Sequence, residues 1–284
     1  MLDKDLHILI VGLGLIGGSY ARALTREGYR VCAIDRDPAA IDYALEEGIL
    51  AAGAVTPDPT LLGEADLVVL ALYPHTLLDW VRENQGALKS GCVLTDVTGI
   101  KEEVVYPVQA CLRPDLEFIA AHPMAGRELP GVQYSSADLF RGANYLVVPT
   151  PQNTPRAVAL CRALGKTLGC ARVTELTPES HDEMIGFVSQ LPHCIAVALM
   201  TANDDQHLED YEGDSFRDLT RIAKINDELW SELFLCNRRA LLAQTDAFLT
   251  SMEKLRAMIA GGDSEGLRAV MRHARERRIK FEEK

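Results

Sequence analysis

Two groups of residues in this 284-residue chain have types and spacing that could do chemistry. The first is Gly12-x-Gly14-x-x-Gly17, set between an apolar run at 6–11 and a helix-compatible segment from Ser19. Strand, tight turn and helix in that order make a phosphate cradle: Gly12 permits the turn, Gly14 lets backbone approach a pyrophosphate, and Gly17 lets helix and strand pack closely. Leu15 and Ile16 lie within the turn, where the helix offers unpaired N–H groups and its positive dipole end. A second strand-like run, 30–34, ends at Asp35, roughly 20 residues beyond the glycines, where a carboxylate accepts hydrogen bonds from a ribose diol. Its neighbour Arg36 can stack on adenine. Leu72 and Tyr73 end another strand-like run and are assigned to the same cofactor site. The competing role is a glycine turn without a ligand. The second group centres on His122, which ends the run 117–121 and is followed by Pro123 and Gly126. A histidine there can accept a proton from a hydroxyl as a hydride leaves the same carbon, because its ordinary pKa lies near neutrality. The alternative is a histidine that caps its loop.

These residues need a scaffold, and the pattern supplies one. Strand-like runs at 66–72, 92–96, 144–149 and 171–176 alternate with helical stretches at 39–47, from the loop 73–76 to 88, at 100–112 and at 154–168. Such alternation predicts a mostly parallel sheet with helices on both faces and ligand loops at the strand C-terminal ends. Beyond Thr177-Pro178 only helical periodicity remains, at 179–200, 217–225, 228–260 and 265–281. We therefore place a boundary at 176/177, giving a dinucleotide-binding domain at 1–176 and a helical domain at 177–284. The apolar stretch 191–200 needs a deep core or a second subunit to cover it, which predicts a homodimer through the helical part.

Composition narrows the partners. A net charge of −12 argues against a general nucleic-acid or anionic-membrane binder, so cations for an anionic substrate must be gathered locally. The basic stretch 268–280 is interleaved with Glu276 and reads as a solvated helix face. Cys32, Cys92, Cys111, Cys161, Cys170, Cys194 and Cys236 are odd in number and form no C-x-x-C pair, as expected of reduced thiols in a cytoplasmic protein. Acidic Asp3 and Asp5 precede the N-terminal apolar run, unlike a signal peptide, and no segment is expected to approach the ~20 apolar residues of a membrane span.

Three longer motifs go beyond the nucleotide fold. His122-Pro-Met-Ala-Gly-Arg-Glu128, Ser189-Gln-Leu-Pro-His193 and Phe216-Arg-Asp-Leu-Thr-Arg-Ile-Ala223, in that order, resemble the prephenate/arogenate dehydrogenase family of tyrosine biosynthesis over nearly the whole chain. The resemblance implies an α/β Rossmann-type nucleotide-binding domain, an all-helical dimerisation domain, and NAD- or NADP-dependent oxidative decarboxylation of a cyclohexadienol. It implies that His122 bonds the ring hydroxyl, that Arg221 holds a substrate carboxylate, and that His193 lies near the substrate side chain. Glu128, Asp218 and Trp230 match an ion-pair and gating group, with ordinary surface or core roles as the alternative.

Two departures bear on the substrate wall. Many relatives read D-x-G-S-V-K where this chain has Asp96-Val-Thr98-Gly99-Ile-Lys101, so a hydroxyl is missing at Gly99 and Thr98 is the candidate to replace it. Many have histidine where this chain has Gln190, which hydrogen-bonds but cannot become charged. Since only one helix and a short tail follow Ala260, an ACT-type tyrosine-binding domain is not expected, and tyrosine inhibition is expected at the active site. The sequence reading is thus an NAD-dependent prephenate dehydrogenase, with no metal, NADP disfavoured by Asp35, and a homodimer as the assembly. Its alternatives are an arogenate dehydrogenase and a non-catalytic NAD(P) sensor.

Overall fold

The computed structural model describes residues 2–127 and 129–281. Strand β1 (His7–Val11) runs through the middle of a six-stranded parallel sheet with β2 (Arg30–Ile34), β3 (Ala52–Ala54), β4 (Leu67–Leu70), β5 (Val93–Asp96) and β6 (Glu117–Phe118), in the order β3-β2-β1-β4-β5-β6. Alternate side chains of β1 enter two cores: Ile8 and Ile10 pack on one face of the sheet, Leu9 and Val11 on the other. Each of these buried side chains contributes about 1.5–3 kcal/mol over an exposed one. Because a strand buried on both faces has no polar side, it reads as the continuous apolar run seen in the sequence. The chain builds outward to β3, then crosses back to β4 on the other side of β1, so the order reverses between β1 and β4. Val11 pairs with both Ile34 and Leu70. The glycine turn, Asp35 and the segment after β4 therefore emerge side by side at the C-terminal edge.

Local chemistry fixes the helices α1 (Leu15–Arg26), α2 (Pro38–Glu46), α3 (Pro59–Glu64), α4 (Pro74–Asn84) and α5 (Glu102–Cys111). Asp37 caps α2 and Asp58 caps α3, each accepting first-turn N–H groups with proline at the first helical position. β3 and α3 are additions to the sequence reading, and α4 begins at Pro74, inside the stretch expected to be loop. The single strand expected at 117–121 is also divided. β6 closes the parallel sheet, while β7 (Ala120–Pro123) starts a second sheet, antiparallel to β8 (Asn144–Val148), which is parallel to β9 (Arg172–Glu175) across helix α6 (Pro155–Thr167). The division falls where the Phe118 carbonyl accepts hydrogen bonds from the side chains of Asn153 and Gln109. His122 is consequently a strand residue opposite Leu146, not a loop residue.

The helical half continues with α7 (Pro178–Ile185), one π-helical turn (Gly186–Gln190) and α8 (Leu191–Thr201) as an unbroken run. Pro192 has no N–H to give the preceding turn, and the π turn is where the helix absorbs that loss. By length and composition, Pro178–Thr201 is long and apolar enough to cross a membrane, which corrects the expectation that no segment is. The helical stretch expected at 179–200 is present and carries both Gly186 and Pro192. Its first turns are nonetheless tied to the sheet through buried His181 and Asp182. Next come α9 (Asp214–Thr220), a 3-10 turn (Arg221–Ala223) and α10 (Asp227–Cys236). All of these belong to one compact unit with the sheets, ending at Asn237; a second unit, Arg238–Lys284, consists of α11 (Arg238–Ala260) packed on α12 (Ser264–Ile279).

Candidate active site

At the glycine turn the three glycines are required for different reasons. Gly12 has φ +94°, and a Cβ there would lie 2.4 Å from the Ala71 carbonyl oxygen. A Cβ on Gly17 would lie 1.9 Å from the Gly12 carbonyl oxygen. Gly14, by contrast, is exposed and faces open space, with nothing within 4 Å of an added Cβ. Two glycines thus close the turn and the third leaves room outside it. Helix α1 starts there without a side-chain cap, so its first N–H groups at Leu15 and Ile16 remain for an anion. Asp35 reaches back to the turn: one carboxylate oxygen accepts from the Leu13 N–H and the other from the Asp37 N–H at 2.8 Å. Leu72 packs beside Gly12, and Arg36 is exposed. Tyr73 caps the start of α4, and its hydroxyl accepts from Asn226 at 3.1 Å. This cradle fits a dinucleotide: it is closed where a Cβ would intrude, open at Gly14, and acidic at the ribose position.

His122 enters from the neighbouring strand end. The β5 residue Asp96 accepts from the Ala121 N–H at 3.0 Å, which fixes β7 against the C-terminal end of β5. The His122 Nδ1 lies 3.0 Å from His181 Nε2, and His181 Nδ1 lies 2.7 Å from Asp182 Oδ1. That carboxylate also accepts the Lys101 and Glu102 N–H groups, both at 2.8 Å, at the start of α5. Lys101 and Asp96 form a fully buried ion pair at 2.6 Å, and Lys101 also donates to Thr98. Burial, reinforced by His181 and Lys101, holds the His122 pKa well below its ordinary value; His181 is lowered likewise by burial and Lys101. The near-neutral pKa expected from sequence is therefore corrected downward, which favours the uncharged ring of His122. Among the described residues no three of His, Cys, Asp or Glu converge on a possible metal site.

The opposite wall is helical. A Cβ at Gly99 would be 3.8 Å from His122 Cε1 and 3.7 Å from Leu233, so α10 lies directly across from the catalytic candidate. One turn away on α10, Trp230 stacks on His193 with ring centroids 3.6 Å apart. His193 Nδ1 is 2.8 Å from the Ser189 carbonyl, so that nitrogen carries the hydrogen. The 3-10 turn bearing exposed Arg221 packs against α8, the helix of His193. Asp218 is exposed on α9, and Glu128 lies outside the described residues.

Two proposed substrate contacts are turned elsewhere. Thr98 is buried, with its hydroxyl between Asp96 and the Ile100 carbonyl, to one of which it gives its single hydrogen, so it is not in position to replace the hydroxyl missing at Gly99. Gln190 is buried too, donating to the Leu233 carbonyl at 3.2 Å and accepting from Asn237 at 2.7 Å. Sequence reasoning missed His181 and Asp182, which stand in a polar run, Pro-Glu-Ser-His-Asp-Glu, that resembles a solvated helix start. The motif Asp96 to Lys101 did contain the buried ion pair, but its value as a pair becomes apparent only in three dimensions.

A dinucleotide cradle and an imidazole of lowered pKa on the same C-terminal edge of the sheet define the class: a dehydrogenase built on a Rossmann-type nucleotide-binding domain followed by helices. The chain belongs to the prephenate dehydrogenase family, whose nucleotide-binding domain matches residues 20–174 and whose dimerization domain matches residues 177–273. It is 30% identical to the cyclohexadienyl dehydrogenase of Zymomonas mobilis over 96% of the chain and 95% of that protein. Identity to the prephenate dehydrogenase of Bacillus subtilis is 28%, over 95% of the chain and 75% of that protein. The crystal structure of prephenate dehydrogenase from A. aeolicus in complex with hydroxyphenyl propionate and NAD+ superposes with a TM-score of 0.89 at 28% identity, covering 98% of this chain and 99% of that one. Synechocystis arogenate dehydrogenase follows with a TM-score of 0.83 at 26% identity, over 97% and 100%.

Proposed function

We propose that this chain catalyses NAD-dependent oxidative decarboxylation of prephenate to 4-hydroxyphenylpyruvate in tyrosine biosynthesis. The observation that carries the reading is His122, held by Nδ1 so that Nε2 is turned away from its partner and kept below its ordinary pKa by burial, at the C-terminal end of β5 on the same sheet edge as the glycine turn. Gly12, Gly14, Leu15, Ile16, Gly17, Asp35, Arg36, Leu72 and Tyr73 hold the nicotinamide cofactor, which when bound supplies the hydride acceptor. His122 Nε2 accepts the hydrogen bond of the ring hydroxyl as hydride leaves the hydroxyl-bearing carbon. The bond to the ring carboxylate breaks to release CO2, its electrons complete the aromatic ring, and the proton stays with the phenolic oxygen. Orientation and this one hydrogen bond are enough, because aromatisation drives the step. Arg221 binds a substrate carboxylate, for which a planar fork is suited. His193, stacked on Trp230, faces the side chain of the substrate, and Gly99, whose added Cβ would meet His122 and Leu233, adjoins the ring.

Asp35 favours NAD by receiving the ribose diol and repelling a 2′-phosphate. The prephenate preference rests on Gln190, His193 and Arg221, none of which supplies the carboxylate that an ammonium group would call for; because His193 Nδ1 already gives its hydrogen to the Ser189 carbonyl, donation from Nε2 to a keto oxygen requires the doubly protonated ring. A homodimer through the helical domain, a functional boundary at 176/177 and a cytoplasmic location complete the reading; seven unpaired cysteines fit a reducing compartment. The test measures reduced-nicotinamide absorbance with prephenate and arogenate, each with NAD and NADP, on wild type and Asp35→Ser. Prephenate with NAD is expected to give the highest efficiency, and Asp35→Ser to move preference toward NADP. Higher efficiency with arogenate would reassign the substrate, and no turnover with either would leave a nucleotide sensor.

A further inference from the structure

The geometry points to Asp182 and His181 as positioning residues that dictate which nitrogen of His122 carries hydrogen. The inference rests on the proposed role of His122 as acceptor. Asp182 Oδ1 already accepts the Lys101 N–H and Oδ2 the Glu102 N–H, so the carboxylate faces donors on every side and can only accept from His181. His181 Nδ1 must then carry hydrogen, and as a neutral ring its Nε2 must be the lone pair. That lone pair lies 3.0 Å from His122 Nδ1, which must therefore donate. A neutral His122 with hydrogen on Nδ1 has its lone pair on Nε2, the form that can accept from a substrate hydroxyl.

Lys101 is engaged with Asp96 and Thr98, so neither it nor Asp96 competes for the imidazoles. The carbonyl of Asp182 accepts from Asn237 at 2.9 Å, which holds the start of the relay against α10. On α6, Cys161 lies 4.0 Å from the Thr95 hydroxyl, and burial pushes its thiol up to about 12, leaving it neutral. Both His181 and Asp182 are buried, so water does not substitute for either. A capping role for Asp182 at α5 would require two N–H bonds but no histidine; the ring between it and His122 is what a cap leaves unexplained.

Nitrogen NMR of histidine-labelled protein near pH 7.5 reads the inference without substrate. His122 and His181 are both expected to show a protonated, pyrrole-type Nδ1 and an unprotonated, pyridine-type Nε2. Asp182→Asn can turn its amide N–H toward His181, and the pattern of both rings is then expected to mix or invert. A pyrrole-type Nε2 on wild-type His122 would overturn the relay, whatever the substrate proves to be. Kinetics give the second arm. His181→Phe offers no acceptor, and kcat per folded site is expected to fall roughly 10–100-fold, with KM for prephenate changed by less than about threefold. His181→Gln restores a carbonyl acceptor and is expected to recover part of that loss. The acid limb of His181→Phe should also shift to higher pH, since a lowering influence on His122 is removed. Normal kcat and an unmoved pH profile in His181→Phe would reduce both residues to a helix cap. If the NMR pattern holds while wild type turns over neither prephenate nor arogenate, the relay stands and the proposed reaction falls.

Discussion

Two imidazoles at the heart of the site are kept neutral by burial, with His181 and Lys101 adding to the effect at His122 and Lys101 at His181. In the unfolded chain both would titrate near their ordinary value of about 6.5. Below that pH the unfolded state binds more protons, so this contribution to stability is fully present above about 6.5 and is lost as pH falls toward the folded values. Asp182, raised by burial, acts in the opposite sense but nearer the carboxylate range. The melting temperature is expected to stay level above about pH 7 and to decline between roughly pH 6.5 and 5, less steeply in His181→Phe. A melting temperature that rises over this window would contradict the burial of neutral rings. At this scale spacing displayed the glycines, Asp35 and His122, while His193 and Arg221 came only through the resemblance of the longer motifs. The sequence concealed what depends on partners. His181 and Asp182 lie in a polar run, and only the fold turns them inward; Thr98 and Gln190, polar residues beside motif positions, also proved to bond within the protein.

The elements divide into those that local chemistry dictates and those that tertiary contacts cut. Strand β1, the glycine turn and α1 were legible because each residue serves the same arrangement. Gly14 and Gly12 separate binding from folding. Gly14→Ala places a methyl in open space where backbone meets the cofactor, so melting should be unchanged while the NAD Kd rises roughly tenfold or more, about 1.4 kcal/mol. Gly12→Ala meets the Ala71 carbonyl at positive φ and should lower stability by about 1–3 kcal/mol. Equal effects of both variants on melting and on NAD affinity would remove the distinction. The β6–β7 division was illegible, since an apolar run through Phe118 and Ile119 has no turn residue to mark it. Across α8 and α10, Gln190→Met would remove a hydrogen bond from the Leu233 carbonyl, which keeps the Asn237 N–H, and one from the Asn237 amide, which keeps the Asp182 carbonyl, at about 0.5–1.5 kcal/mol per bond. A lower melting temperature with unchanged KM is expected; unchanged melting with a raised KM would return Gln190 to the substrate wall.

As a whole molecule, the chain joins a nucleotide-binding sheet to helices that close the far side of the site within one compact unit, and adds a helical pair with exposed Leu242, Leu249, Met252 and Ile259 on α11. Those side chains suit the dimerization role that the family description gives this half, and sedimentation at micromolar concentration should find twice the chain mass. The α/β-then-helix architecture was legible from periodicity alone. The two-unit division at Asn237 was not, because 228–260 reads as one helical pattern and only a buried asparagine interrupts it. The proposed reaction converges on one hydrogen bond, from a substrate hydroxyl to His122 Nε2 as hydride departs. The direct measurement is kcat and KM for prephenate at saturating NAD, in wild type, His122→Asn and Arg221→Gln. Wild type should turn over, His122→Asn should lose roughly 10²–10⁴-fold in kcat with little change in KM, and Arg221→Gln should chiefly raise KM. A His122→Asn enzyme with near-normal turnover and an unaltered acid limb would contradict the account.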